Sequence, residues 1–225
     1  MPNTPVSDGH SGGPQVRGEP GCPRCGGPAR APGVWSNAWR CDVHGEVDPV
    51  APPSLPHRER LERVVHGGAV PFWLPWPLPT GWLVTGITHA GDERHGLRAG
   101  VVACSGPNPV GGPADLLLIA EEPGVGLGAH LSGMTGPDPG EQMLTSTGPH
   151  AKVYAAGHPT ALWCVEGAAD RAVYVGEALG CWLWMVLWPA TAGALVIDHI
   201  TLVDLRETPC DLDIPLGVPS TRLAG

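Results

Sequence analysis

Two short hooks, CPRC at Cys22 to Cys25 and CDVH at Cys41 to His44, stand fifteen residues apart near the start of the chain. In each, two metal-ligating side chains are separated by two residues, so one tight turn can set both on adjacent corners of a tetrahedron. A segment this short cannot own an apolar core. Three thiolates and a neutral imidazole, Cys22, Cys25, Cys41 and His44, therefore predict a Cys₃His set that folds residues 21–48 around one Zn²⁺ as a zinc ribbon. Gly26 and Gly27 follow the first hook, where a tight turn lets backbone N–H groups face the sulfurs. Four protein ligands leave no open position for water or substrate, so the expected metal is structural rather than catalytic. Trp35 and Trp39, between the hooks, are too large to hide within such a module. They are expected to dock it onto the rest of the chain, with a partner surface as the alternative.

Beyond the hooks, punctuation limits the architecture. Gly (33) and Pro (27) together exceed a quarter of the 225 residues, yet Val, Leu and Trp runs between them argue for short strands and turns rather than disorder. Strand candidates are WLVTGITHA, LRAGVVACS, ADLLLIAEE, KVYAAGH, TALWCVE, RAVYVGEA, CWLWMVLW and ALVIDHITLVDL. No amphipathic helix is long enough for repeated βαβ crossovers. The fold class read from this is α+β and β-dominated: a small N-terminal zinc ribbon plus a mostly antiparallel, Trp-rich β domain with few short helices.

The expected organisation is a disordered tail over residues 1–20, the ribbon over 21–48, and a Pro-rich linker with a short helix over 49–67. The antiparallel β-rich domain comes next over 68–207, with a mobile loop near 123–149, and a flexible tail closes the chain over 208–225. In the helix, Leu61, Val64 and Val65 share one face. The stretch PFWLPWPLPTGW is held extended by its prolines and is expected to pack its rings on the fold's own core.

A net charge of −9 argues against a broad nucleic-acid surface. Any such contact would be local to the ribbon, where Arg24, Arg30 and Arg40 stand against Asp42 and Glu46. Seven cysteines, with Cys104, Cys164 and Cys181 in apolar strand text, read as a reducing cytoplasm rather than a disulfide framework. The first twenty residues contain no apolar signal region. Ala178 to Ile197 is uncharged for twenty residues, but its three central Trp and the PATAG connection point to a hairpin of buried strands, not a membrane span.

Weaker constellations carry less. GVGLGA at Gly124 to Ala129 fits a dinucleotide fingerprint in form, but the Gly- and Pro-rich text after it argues against the long helix that site requires. Cys104, at the end of a strand, would be a nucleophile only beside His150 or His158, and a buried inert thiol is the simpler expectation. Asp115, Glu121, Glu122 and Glu177 are acidic residues flanking strands, where solvation is the ordinary role.

The segments CPRCGGPARAPGVWSNAWRCDVHG, WLPWPLPTGWLVTG, VVACSGPNPVGGPADLLLIAEEPGVGLGA, PHAKVYAAGHPTALWCVEG and VGEALGCWLWMVLWPATAG together resemble an actinobacterial family, a domain of unknown function, over about residues 16 to 207. Members often carry the label phosphotransacetylase. That label implies acyl or phosphoryl transfer as an alternative, although phosphotransacetylases are longer and doubly wound and this text shows no βα alternation. Similar proteins begin just before the RGEP at Arg17 to Pro20, and a valine codon can initiate translation. Residues 1–15 are therefore expected to precede the native start, and an intact mass beginning at Met1 would refute this. The reading that best fits the sequence is a non-catalytic binding or regulatory module with a structural zinc ribbon, for an unknown protein or small-molecule partner. Transfer chemistry through Cys104 and local nucleic-acid contact through the ribbon stand as alternatives.

Overall fold

The computed structural model describes residues 18–34, 36–54, 62–65, 68–140, 143, 148–198, 200–207 and 213–223. A two-stranded hairpin, β1 (Arg40–Cys41) and β2 (Gly45–Glu46), lies in the hook segment. The body is one sheet of nine strands. These are β3 (Trp73–Pro75), β4 (Leu83–Asp92), β5 (Gly96–Pro107), β6 (Pro113–Glu121), β7 (Ala151–Ala155), β8 (His158–Val165), β9 (Ala172–Ala178), β10 (Cys181–Trp188) and β11 (Thr201–Asp204). Their order is β3-β11-β7-β8-β9-β10-β6-β5-β4. Every neighbouring pair is antiparallel except β11 and β7. The sheet curls, so that β3 at one end of the order packs against β5 and β6 near the other. The β-dominated expectation with few short helices is met.

Curling creates two apolar layers. Inside the curl, Phe72, Trp73 and Leu74 meet Leu116, Leu118, Leu183, Met185 and Leu187. On the outer face, Leu117, Ile119, Trp184, Val186 and Trp188 are covered by a short helix, Leu127–Ser132, and by Leu223. The central strands β6 and β10 are thus buried on both faces. Their text, ADLLLIAE and CWLWMVLW, is correspondingly apolar without alternation. Burying the PFWL rings, as the proline-rich stretch predicted, fills the interior that the curl encloses.

The hairpin expected within residues 178–197 is displaced. β10 pairs β9 through the Leu179–Gly180 turn, where both residues take positive φ (54° and 76°) as a two-residue hairpin turn requires. The second apolar run, ALVI, belongs to a 3₁₀ helix, Ala190–Ile197, and only Thr201–Asp204 of the final candidate is a strand. The physical reason is edge availability. β6 and β9 already occupy both edges of β10, and Pro189 has no N–H to carry a ladder onward. No described helix is long and apolar enough to cross a membrane.

The outer edge of β4 is covered by two segments that read as linker and tail in the sequence. Residues 50–54 run beside its far half, with Ala51 N–H donating to His89 O at 2.8 Å, Ser54 N–H to Ile87 O at 3.1 Å, and the Thr88 hydroxyl to Ala51 O at 2.6 Å. Residues 213–223 cover its start: Val84 N–H donates to Pro215 O (2.9 Å), Gly217 N–H to Val84 O (2.8 Å) and Ser220 N–H to Thr85 O (2.8 Å). A Cβ on Gly86 would stand 2.6 Å from Leu223 Cδ1, so the glycine makes room for that buried side chain. Of the short helix expected within residues 49–67, residues 62–65 are helical; residues 55–61, 66 and 67 lie outside the described residues, as does Trp35. Residues 141, 142 and 144–147 of the expected mobile loop also lie outside them.

Candidate metal centre

The first hook is a turn closed by backbone hydrogen bonds. Cys22 N–H donates to Gly27 O at 2.7 Å, and Gly26 N–H to Cys22 O at 2.9 Å, with Gly26 at φ 68°. The second hook is the β1–β2 connection: Cys41 ends β1, and Gly45 at φ 71° opens β2 just after His44. The two turns bring one donor atom each from Cys22, Cys25, Cys41 and His44 within 4.8 Å of one another. Cys25 Sγ and Cys41 Sγ are 3.8 Å apart. His44 presents Nδ1, at 3.6 Å from Cys22 Sγ and 3.8 Å from Cys41 Sγ. Tetrahedral zinc with sulfur and imidazole ligands needs edges of about 3.8 Å between sulfurs and about 3.6 Å from sulfur to nitrogen. These three separations fit that requirement, and the remaining pairs lie within 4.8 Å.

Burial pushes the Cys22 thiol up to about 12. At Cys41, burial is outweighed by the backbone N–H groups of Val43 and His44, which hold its thiol down to about 6. Those N–H groups are where a metal-bound thiolate needs them.

Around the four donors, the hook segment is tied to the body. Arg24, between the two hook cysteines, donates from Nη2 to Gly124 O at 2.7 Å and from Nε to Val125 O at 3.4 Å. Arg94 Nη1 donates to Asn37 O at 2.7 Å, and Arg98 bridges Asp48 (3.0 Å) and Glu122 (2.8 Å). His130, on the short helix, faces the hook turn; a Cβ on Gly26 would come within 3.1 Å of its Nε2. Burial, Arg171 and His44 lower its basicity. Trp39 is half-buried and lines a seam cleft of about 300 Å³ with Arg24, Asp92, His95 and Arg98.

The other candidates are dispersed. Cys104 points into the inner core, fully buried, where desolvation pushes its thiol up to about 12. His150 and His158 are exposed, and His150 Nδ1 accepts the backbone N–H of Cys164 at 3.1 Å. GVGLGA does run into a helix, but one of six residues, after a strand whose neighbours β5 and β10 are both antiparallel. Its Gly128 serves packing: a Cβ there would fall 2.3 Å from Trp184 Nε1.

Among the carboxylates, Asp115 accepts from Ser105 Oγ (2.7 Å) and Arg222 Nε (3.0 Å), and Glu177 is exposed. Glu121 departs from the solvated role expected of it. It is fully buried, and its Oε2 accepts N–H groups of Leu127 (2.8 Å) and Gly128 (3.2 Å). The signal available in the sequence was parity: Glu121 falls on the same side of β6 as Leu117 and Ile119, the side that the short helix covers.

A model described as a family of unknown function (DUF6758) matches residues 16–223, nearly the whole chain, and the chain belongs to that family. No curated protein and no solved structure matches it.

Proposed function

We propose that this member of a family of unknown function holds one structural Zn²⁺ through Cys22, Cys25, Cys41 and His44, and works as a non-catalytic binding or regulatory module. The observation that carries the reading is the gathering of all four donors within 4.8 Å of one another, with three of their separations, 3.6–3.8 Å, at the edge lengths of a closed tetrahedron. A closed set offers no position for substrate. The metal's work is then mechanical: it fixes the hook turns, and through Arg24 it fixes the loop at Gly124 and Val125. Free Cys104, Cys164 and Cys181 support a reducing, cytoplasmic setting. Elemental analysis of the reduced, purified chain should find one zinc per molecule, and His44→Ala with Cys41→Ser should lose it. Metal-free wild-type protein would end the proposal. Acetyl phosphate turnover that vanishes in Cys104→Ala would favour transfer chemistry over the non-catalytic reading.

A further inference from the structure

We infer that the metal centre is a peroxide-sensitive clamp in which Cys25 is the ligand an oxidant reaches first and Cys41 is its disulfide partner. The inference rests on the zinc reading above and adds a mode of regulation to it. The three sulfurs are unequal. Cys22 and Cys41 keep 1% and 6% of their surface, whereas Cys25 is exposed. Gly27 contributes to the difference: a Cβ there would lie 3.4 Å from Cys25 Sγ, so a side chain at this position would cover the sulfur. The sulfur is therefore open on the side where any other residue at position 27 would cover it.

The second thiolate is already in place, since Cys41 Sγ stands 3.8 Å from Cys25 Sγ. A peroxide transfers one oxygen to the Cys25 thiolate, giving sulfenic acid and leaving as hydroxide or alkoxide. The Cys41 thiolate then attacks the Cys25 sulfur, forming the S–S bond and expelling hydroxide. Two electrons leave the sulfurs and reduce one peroxide. Cys22 and His44 remain, too few to hold the ion. The hook turn that carries Arg24 then loses its anchor, so the oxidation state of Cys25 reaches the loop at Gly124 and Val125 through the two Arg24 hydrogen bonds. A thiol reductant with added zinc reverses the change.

The test uses the full, zinc-loaded chain under hydrogen peroxide, with released zinc read by a chromogenic chelator and oxidised sulfurs mapped by mass spectrometry. One zinc should leave per chain, a Cys25–Cys41 disulfide should accumulate, and a sulfenic-acid trap such as dimedone should label Cys25 before either other ligand. Gly27→Val should slow release severalfold while binding zinc normally, because position 27 has an ordinary backbone conformation. Dithiothreitol with zinc should restore the starting state. The dimedone order in wild-type protein decides the matter if the variant fails to fold. A chain without zinc before peroxide overturns the metal reading and this inference with it. A chain that holds zinc and keeps it under peroxide, or that is labelled first at Cys22 or Cys41, overturns this inference alone.

Discussion

Glu121 closes β6 with a carboxylate that has no exposed surface and one oxygen on two N–H groups at the start of the short helix. Burial, with a smaller contribution from Asp138, raises its pKa from 4.5 to about 7, against the opposing N–H groups of Gly128 and Leu127 and the Trp184 indole. Between those values the folded chain keeps a proton that the unfolded chain has lost. The Glu121 contribution to stability is therefore full below pH 4.5 and is lost as pH rises through 7, by about 3 kcal/mol at about 1.4 kcal/mol per unit. Glu121→Gln should lose that slope. Denaturant titrations at pH 5 and pH 8 should show a drop in wild-type stability that is smaller in the variant by about 2.5 kcal/mol, since part of the loss is already complete at pH 5; matching profiles would refute the assignment. The contrast with the four metal-ligand candidates explains what could be read in advance. Their grouping depends on turns within each hook, which spacing records. The burial of Glu121 depends on the short helix that folds back over its side of β6; parity names that side but does not record what covers it.

Elements show the same division. β4, β5, β6, β9 and β10 lie where apolar text and Gly- or Pro-rich turns place them, because each hairpin is closed by its own local turn. ALVI has strand composition yet forms a 3₁₀ helix, because an edge must be free before a strand can use it. The converse happens at β4. Its open edge recruits residues 213–223, where Ile214, Leu216 and Val218 alternate but Pro215, Gly217 and Pro219 stand between them and break the strand signal. Arg222 fastens that segment. Its Nε donates to Asp115 at 3.0 Å, and its guanidinium lies 5.0 Å from the centre of the Trp188 ring, with Arg171 also over that ring at 4.8 Å. With half-exposed partners, ion pair and ring contact together are worth about 1–2 kcal/mol. Arg222→Ala should therefore speed hydrogen exchange at Gly217, Ser220 and Val84 while leaving amides of β6 and β10 protected. Uniformly faster exchange across the sheet, or none, would show that the segment is not held by this side chain.

At the scale of the molecule, the hook segment and the sheet depend on each other unequally. The hook segment's own apolar cluster is Cys22, Ala29, Cys41 and Val47 with Trp39 against it, too little to fold unaided, so on the proposed zinc reading its order comes from the metal and from its hydrogen bonds to the sheet. The sheet owns two large cores and needs neither. Gly21 exchanges hydrogen bonds with Val50 in both directions (3.0 and 2.8 Å), and Gly91 N–H donates to Pro49 O at 3.1 Å, so the path from hook to sheet is short and mostly main chain. On the proposed zinc reading, removing the metal should then loosen the hook segment and the Gly124–Val125 loop, and stop at the sheet. With a strong chelator, hydrogen exchange should rise at Cys22, Gly26, Arg30 and Arg40, whose N–H groups are bonded within the segment, while β5, β6 and β10 keep their protection. Arg24→Ala separates the metal's hold on the hook from the hook's hold on the loop: it should retain zinc and hook protection yet raise exchange in the 122–128 stretch alone. If the chelator leaves exchange in the hook segment unchanged, the metal is not its organiser. If the variant behaves as wild type, Arg24 is not the link.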